Sequence, residues 1–205
     1  MSKIKICGLS RPCDVDYVNE AKPDFCGFII GVPKSRRNVT PEKVRQLVKT
    51  LSPEIAPVGV FVNAPVEEIA GLTQDGTLQY VQLHGQEDEA YLAALRQKVT
   101  VPIIQAFKVT GTEDVRRAEQ STADYILLDN GSGGTGKTFD WSNLRNVTRP
   151  YILAGGLGPE NLGQAVKQLA PWGTDLSSGV ETDGYKDREK ILAAVRAVRE
   201  ASEEM

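Results

Sequence analysis

The sequence predicts one closed (β/α)8 barrel, the TIM-barrel architecture, as a single catalytic domain over residues 1–205. Short apolar, β-branched runs alternate with helical patterns along the chain, and strand starts recur about every 25 residues, a spacing typical of βα repeats. No linker or change in composition divides the chain. Alternating βα units imply a parallel sheet, and eight of them suggest that the sheet closes into a barrel.

Eight runs are predicted as strands because each is short and apolar. They are residues 3–7, 24–30, 57–62, 80–84, 102–108, 125–129, 151–154 and 174–177. A helical pattern covers residues 10–21, and a second begins at the N-cap and proline pair Thr40-Pro41. Further helical patterns cover residues 66–72, 87–98, 113–120, 160–169 and 188–201. The connection 130–146 is the weak unit, because it is rich in glycine and leaves room for only a short helix.

An open, doubly wound sheet is the competing architecture. Such a sheet usually carries a G-x-G-x-x-G turn after its first strand. Here the first predicted strand is followed by Gly8-Leu9-Ser10, which does not fit that pattern. The barrel is therefore the preferred fold.

Composition and charge restrict the partners. A net charge of −3 without a basic stripe argues against nucleic acid, and the apolar runs are shorter than the ~20 residues of a membrane helix. Three cysteines and the absence of a signal-peptide pattern predict reduced thiols in the cytoplasm. One histidine and scattered cysteines provide no paired metal-ligand spacing, so neither a metal nor a cofactor is predicted. A monomer is preferred to a homodimer.

The active site of such a barrel is expected at the carboxyl ends of its strands. Cys7 and Asp129 end the first and sixth predicted strands, and both are flanked by aliphatic residues of opposite parity. Since successive side chains of a strand point to opposite faces, both residues are predicted to face the barrel mouth. Lys5 shares the face of Cys7, and a nearby ammonium favours a thiolate. The simpler alternatives are a buried, inert Cys7 and a turn-forming Asp129.

Two glycine-containing turns follow the last two strands. Gly155-Gly156 precedes a helix that starts near Pro159, and Ser178-Gly179 follows the eighth strand. Backbone N–H groups in such turns bind phosphate in many barrels. A phosphate site at Gly155, Gly156, Ser178 and Gly179 is therefore predicted, with two ordinary turns as the alternative.

Residues 131–138 satisfy the P-loop pattern G-x-x-x-x-G-K-[ST] after a strand. A P-loop also needs a substantial helix starting at the Lys-Thr pair, and only about one helical turn fits before Arg149-Pro150. The segment is therefore interpreted as a glycine loop over the strand ends, and not as a nucleotide site.

Taken together, several motifs resemble the phosphoribosylanthranilate isomerase family of tryptophan biosynthesis over nearly the whole chain. The motifs are Lys5-Ile6-Cys7-Gly8, Pro33-Lys34-Ser35-Arg36-Arg37, Gly59-Val60-Phe61-Val62-Asn63, Val81-Gln82-Leu83-His84-Gly85, residues 133–141, Gly155-Gly156-Leu157 and Asp175-Leu176-Ser177-Ser178-Gly179-Val180-Glu181. The resemblance implies an Amadori rearrangement of N-(5-phosphoribosyl)anthranilate, a small phosphosugar, with Cys7 as general base and Asp129 as general acid. It also implies that the two pKa values are pushed apart.

The resemblance implies further site residues. A family arginine binds the anthranilate carboxylate, and Arg37 matches it better than the adjacent Arg36, although either could serve. Gln82 and His84 match positions that line the pocket, and Asp175 matches a supporting aspartate. Two other functions stay open: a non-catalytic phosphosugar-binding barrel, and the related histidine-pathway aminoaldose isomerase, which usually has an aspartate where this chain has Cys7.

Overall fold

A computed structural model describes residues 1–129, 141–144 and 147–204. It confirms the predicted barrel of eight parallel strands. The strands are β1 (Lys3–Cys7), β2 (Phe25–Ile30), β3 (Ala56–Phe61), β4 (Tyr80–Leu83), β5 (Ile103–Lys108), β6 (Tyr125–Asp129), β7 (Tyr151–Ala154) and β8 (Gly173–Leu176).

The barrel closes because β1 pairs with both β2 and β8. In the first pairing Cys7 lies opposite Gly27, and in the second Lys5 lies opposite Asp175. A short additional strand, Asn38–Val39, pairs with the end of β2. The closed sheet brings the carboxyl ends of all eight strands to one rim.

In the described ranges, seven helices cover the strands. They are α1 (Pro12–Ala21), α2 (Pro41–Val48), α3 (Val66–Gln74), α4 (Glu89–Arg96), α5 (Thr112–Glu119), α6 (Pro159–Leu169) and α7 (Arg188–Glu203). In the weak unit between β6 and β7 the described residues form a single 3-10 turn, Trp141–Leu144. The glycine loop 131–138 lies outside the described residues. None of the helices in the described ranges is long and apolar enough to cross a membrane.

Two elements, β2 and α4, begin at later residues than the sequence pattern predicts, and local hydrogen bonds accompany both starts. Asp24 was predicted within the second strand, but its carboxylate accepts from the backbone N–H of Ile4 and from Lys3. The fourth helix begins at Glu89 because Asp88 is its N-cap and accepts from the N–H of Tyr91.

The apolar core has two layers, as expected for strands buried on both faces. Ile126 and Leu128 belong to the outer layer, between the strands and the helices. The inner layer fills the barrel with Phe25, Val58, Ile104, Leu127, Ile152 and Ala154. Since Leu127 points into the barrel, strand parity places Asp129 on the same inner face.

Aromatic rings fill the amino-terminal end of the barrel. Phe25, Tyr80 and Tyr125 are the first residues of alternate strands, and Trp172 precedes β8. Tyr125 stacks on Trp172 with ring centroids 4.4 Å apart, and Phe25 meets Tyr80 edge to face at 5.1 Å. With this end filled, the opposite rim is the one that carries a cavity.

Candidate active site

A cavity of about 710 Å³ opens at the carboxyl ends of the strands. All ten residues that the sequence analysis assigned to catalysis or binding line it. They are Cys7, Arg37, Gln82, His84, Asp129, Gly155, Gly156, Asp175, Ser178 and Gly179. The geometry thus brings the predicted residues together in one site, on the strands and on the loops that follow them.

Cys7 lies beside a buried ion pair at the end of β1. Lys5 Nζ is 3.0 Å from each carboxylate oxygen of Asp175. On β2, a Cβ atom at Gly27 would lie 2.9 Å from Cys7 Sγ and 3.0 Å from Lys5 Nζ. Glycine at this position therefore leaves the space in which the sulfur and the ammonium pack side by side.

The ionisation of Cys7 differs from the sequence-based expectation. Burial raises the pKa of this thiol, and the charge of Asp175 adds to the rise. Lys5 lowers the pKa through its charge and a hydrogen bond, as predicted, but the effect of burial is larger. Burial therefore favours the neutral thiol, and sequence spacing could not show this because it reveals the ammonium but not the degree of burial.

Asp129 faces the only histidine of the chain across the cavity. Its Oδ2 atom is 3.5 Å from Nε2 of His84. The other ring nitrogen of His84, Nδ1, is 3.0 Å from Nε2 of Gln82. Gln82 is completely buried, and its Oε1 atom has no hydrogen-bond partner among the described residues. Because Gln82 lines the cavity, this acceptor is available to a ligand bound there.

Arg37 and Arg36 meet the same carboxylate. Arg37 donates from Nε and Nη2 to the two oxygens of Glu181, at 2.6 and 2.7 Å. Arg36 donates from Nη2 to Glu181 at 2.6 Å, but its side chain is 58% exposed against 20% for Arg37. Of the two candidates for binding an anion in the cavity, Arg37 is therefore the more buried and the one with its side chain fixed by two hydrogen bonds.

The loops after β7 and β8 pack directly against each other. Gly155 and Gly156 both have positive φ angles, +91° and +66°. A Cβ atom at Gly179 would lie only 1.9 Å from the carbonyl oxygen of Leu157, so no other residue fits there without a backbone shift. Asn161 of α6 also ties the first loop, since it donates to the Gly156 carbonyl and accepts from the Gly158 N–H. Packing and hydrogen bonds thus fix the two loops against each other at the edge of the cavity.

Two charged residues of the site were not assigned from the sequence. Glu181 and Lys186 lie opposite each other in a short hairpin after β8, and the Lys186 ammonium is 2.6 Å from Glu181. The turn between them is Asp183-Gly184, a dipeptide that often forms a two-residue hairpin loop. That dipeptide is the signal from which the hairpin could have been predicted.

A thiol and a carboxyl on the inner face of a (β/α)8 barrel, beside glycine loops after the last two strands, define an acid–base enzyme of the phosphosugar-binding kind. A family model described as "N-(5'phosphoribosyl)anthranilate (PRA) isomerase" matches residues 4–197. The chain belongs to this family.

Individual relatives agree. N-(5'-phosphoribosyl)anthranilate isomerase of Endomicrobium trichonymphae is 44% identical, over 97% of this chain and 99% of the relative. The enzyme of Acetivibrio thermocellus is also 44% identical, over 98% and 97%. The crystal structure of the Thermotoga maritima enzyme has a TM-score of 0.88 at 36% identity, covering 98% of this chain and all of that one. A further isomerase structure, solved with reduced 1-(o-carboxyphenylamino)-1-deoxyribulose 5-phosphate, has a TM-score of 0.85 at 34% identity, with 98% and 100% coverage.

The protein is therefore an isomerase of tryptophan biosynthesis. It converts N-(5'-phosphoribosyl)anthranilate to 1-(2-carboxyphenylamino)-1-deoxyribulose 5-phosphate by an Amadori rearrangement. This assignment favours the isomerase over the two functions that the sequence left open, a non-catalytic binding barrel and the histidine-pathway enzyme.

Proposed function

We propose that Cys7 is the general base and Asp129 the general acid of this rearrangement. The observation that carries the proposal is their position on the inner face of β1 and β6, lining one cavity between the glycine loops and Arg37.

The chemistry proceeds by two proton transfers. Asp129 donates a proton to the ring oxygen, the bond from that oxygen to C1′ breaks, and the nitrogen lone pair forms a protonated Schiff base. The Cys7 thiolate then removes the proton from C2′, and the electron pair forms the C1′–C2′ double bond of the enolamine, which tautomerises to the ketone. The positive charge of the Schiff base favours the thiolate when it is most needed, which offsets the burial of the thiol.

The remaining cavity residues bind the substrate. Arg37 binds the anthranilate carboxylate, and the loops containing Gly155, Gly156, Ser178 and Gly179 bind the phosphate through backbone N–H groups. The unpartnered Oε1 of Gln82 accepts a hydrogen bond from the sugar or the linking nitrogen, since a buried acceptor without a partner costs about 1–3 kcal/mol. His84 orients Asp129, and Asp175 orients Lys5.

Turnover of N-(5'-phosphoribosyl)anthranilate by Cys7→Ser and Asp129→Asn variants tests the acid–base roles. Each variant should lose about 10²–10⁴-fold in kcat, because each removes one proton-transfer group. Cys13→Ser is the matched control, since Cys13 is a free thiol outside the cavity. Full activity of both site variants would refute the mechanism.

We also propose a domain organisation, a location and an oligomeric state for the chain. The chain acts as one catalytic domain over residues 1–205. It is placed in the cytoplasm on the strength of its three free thiols. It is a monomer, since its exposed large apolar side chains, Met1, Val62 and Tyr185 among the described residues, are scattered singly. The Thermotoga maritima enzyme is described as dimeric, so sedimentation analysis of this chain is the deciding measurement.

A further inference from the structure

The hairpin after β8 brings Glu181 and Lys186 beside two arginines, Arg36 and Arg37, at the rim of the cavity. These four residues form a charge cluster. Its strands, Glu181–Thr182 and Tyr185–Lys186, are joined by Asp183 and Gly184, which both have positive φ angles, +51° and +83°. These angles are typical of the tight hairpin turn that places Glu181 directly beside Lys186. A Cβ atom at Gly184 would lie 2.7 Å from Nη1 of Arg36, so the turn also makes room for that guanidinium.

The hairpin is held from both sides. Arg11 at the start of α1 donates to the Lys186 carbonyl and lies 4.6 Å from the ring centroid of Tyr185. Lys190 of α7 donates to the backbone carbonyl of Glu181. The Lys186 ammonium donates both to Glu181 and to the carbonyl of Ser177 in the loop after β8. Glu181, with a side chain 4% exposed, is therefore a fixed carboxylate.

The charges of this cluster do not balance. Three cations, Arg36, Arg37 and Lys186, contact the single carboxylate of Glu181, which leaves two positive charges in excess. Glu181 uses the side edge of the Arg37 guanidinium, Nε and Nη2. The end edge, Nη1 with the outer hydrogen of Nη2, can donate to a second carboxylate, because no described oxygen accepts from Nη1.

We propose that Glu181 is the positioning residue for recognition of the substrate carboxylate: by clamping the side edge of Arg37, it presents the end edge to the cavity, while Lys186 and Arg36 neutralise its own charge. The inference rests on the proposed role of Arg37. The stem of Arg37 supports this orientation, because it crosses Gly8 so closely that a Cβ there would lie 2.5 Å from Arg37 Cδ. The guanidinium is thus fixed at both its stem and its side edge.

The Glu181→Gln variant separates the effect of positioning Arg37 from the effect of net charge, because the two change the affinity for the substrate carboxylate in opposite directions. Removing the carboxylate adds one positive charge to the cluster, which by itself attracts the substrate carboxylate. It also frees the guanidinium, so a bound carboxylate must order a long side chain. We expect positioning to dominate, because ordering the freed side chain of Arg37 costs conformational entropy that the wild-type protein has already lost on folding.

The experiment measures the dissociation constants of two ligands by calorimetry: reduced 1-(o-carboxyphenylamino)-1-deoxyribulose 5-phosphate, and its counterpart made from aniline, which lacks the carboxylate. The wild-type protein should prefer the first about 10–100-fold, the range for hydrogen bonds to a charged group. Glu181→Gln should reduce this preference about tenfold and leave affinity for the aniline ligand unchanged. Unchanged affinity for that ligand also shows that the variant is folded.

Three controls make each outcome decisive. Lys186→Gln should reduce the preference about threefold, because an under-neutralised Glu181 opposes a second carboxylate, and it replaces Glu181→Gln if that variant does not fold. Glu54→Gln, at an exposed ion pair on the opposite part of the fold, should change nothing. An unchanged or increased preference in Glu181→Gln, or equal weakening of both ligands, overturns the inference. If Arg37→Ala retains the wild-type preference, the proposed role of Arg37 fails instead.

Discussion

Lys5 and Asp175 form an ion pair inside the barrel, with the Lys5 ammonium 3.0 Å from both oxygens of the carboxylate. The register of β1 against β8 places the two residues directly opposite each other. Both are almost completely buried, so each charge depends on the other for compensation. The pair therefore acts on the fold and on the neighbouring thiol of Cys7.

Replacing one member of this pair should destabilise the protein strongly. Lys5→Met leaves the Asp175 carboxylate buried without its cation, which typically costs about 3–5 kcal/mol. Urea unfolding measures the loss, and the double variant Lys5→Met/Asp175→Asn should recover part of it. Lys3→Met is the matched control, because Lys3 forms an exposed pair with Asp24 and should cost less than about 1 kcal/mol. Equal unfolding midpoints for the two single variants would contradict this account.

The same ammonium should influence the pH at which the Cys7 thiol ionises. Burial raises the pKa of Cys7 above 9.0, its ordinary value, and Lys5 partly opposes the rise. The thiolate fraction of the free enzyme thus increases with pH, so the rate at which iodoacetamide alkylates Cys7, followed by mass spectrometry, should rise up to about tenfold per pH unit and continue rising past pH 9. In Lys5→Met the rise should move to higher pH, because the group that lowered the pKa is gone. A Cys7 alkylation rate that levels off below pH 9 would contradict the raised pKa of this thiol.

The fold was predictable because each βα unit repeats the same local pattern. Strand parity alone placed Cys7 and Asp129 on the inner face, and the inner layer around Leu127 agrees with it. Parity could not reveal the balance between burial and charge at Cys7. That balance depends on Asp175, which lies 168 residues from Cys7 along the chain and enters only through the β1–β8 register.

The charge cluster around Glu181 was harder to predict for a similar reason. Arg36 and Arg37 follow β2, whereas Glu181 and Lys186 follow β8, so their contacts exist only in the closed barrel. The sequence identified a competition between the two arginines for one anion. The structure shows that both contact an internal carboxylate and differ mainly in exposure.

Adding one methyl group at Gly179 should impair phosphate binding. In Gly179→Ala the new Cβ would lie 1.9 Å from the Leu157 carbonyl oxygen, so the loops after β7 and β8 must separate. A shift of about 1 Å in positioning groups can cost on the order of 10²-fold in kcat/KM. Inhibition by inorganic phosphate should weaken in parallel.

The matched control for this change is Gly71→Ala. Apart from its chain neighbours and the backbone of its own helix, α3, no atom lies within 4 Å of a Cβ at Gly71, so alanine should stabilise the helix by about 0.5–1 kcal/mol and leave kinetics unchanged. Normal phosphate inhibition in Gly179→Ala would show that the two loops do not form the phosphate site.

Glu181 should also contribute to stability in a defined pH range. Burial alone would raise the pKa of this carboxyl, but hydrogen bonds and charge from Arg37 and Lys186 outweigh it and lower the pKa from 4.5 to about 2. A depressed pKa means that the folded state favours the carboxylate. The resulting stability, up to about 3 kcal/mol, is fully present above pH 4.5 and is lost as the pH falls from there to about 2. Urea unfolding at pH 7, 4.5 and 3 should therefore show Glu181→Gln less stable than wild type at the first two values, with the difference shrinking at the third. A difference that stays constant down to pH 3 would mean that the carboxylate is not held by its cations.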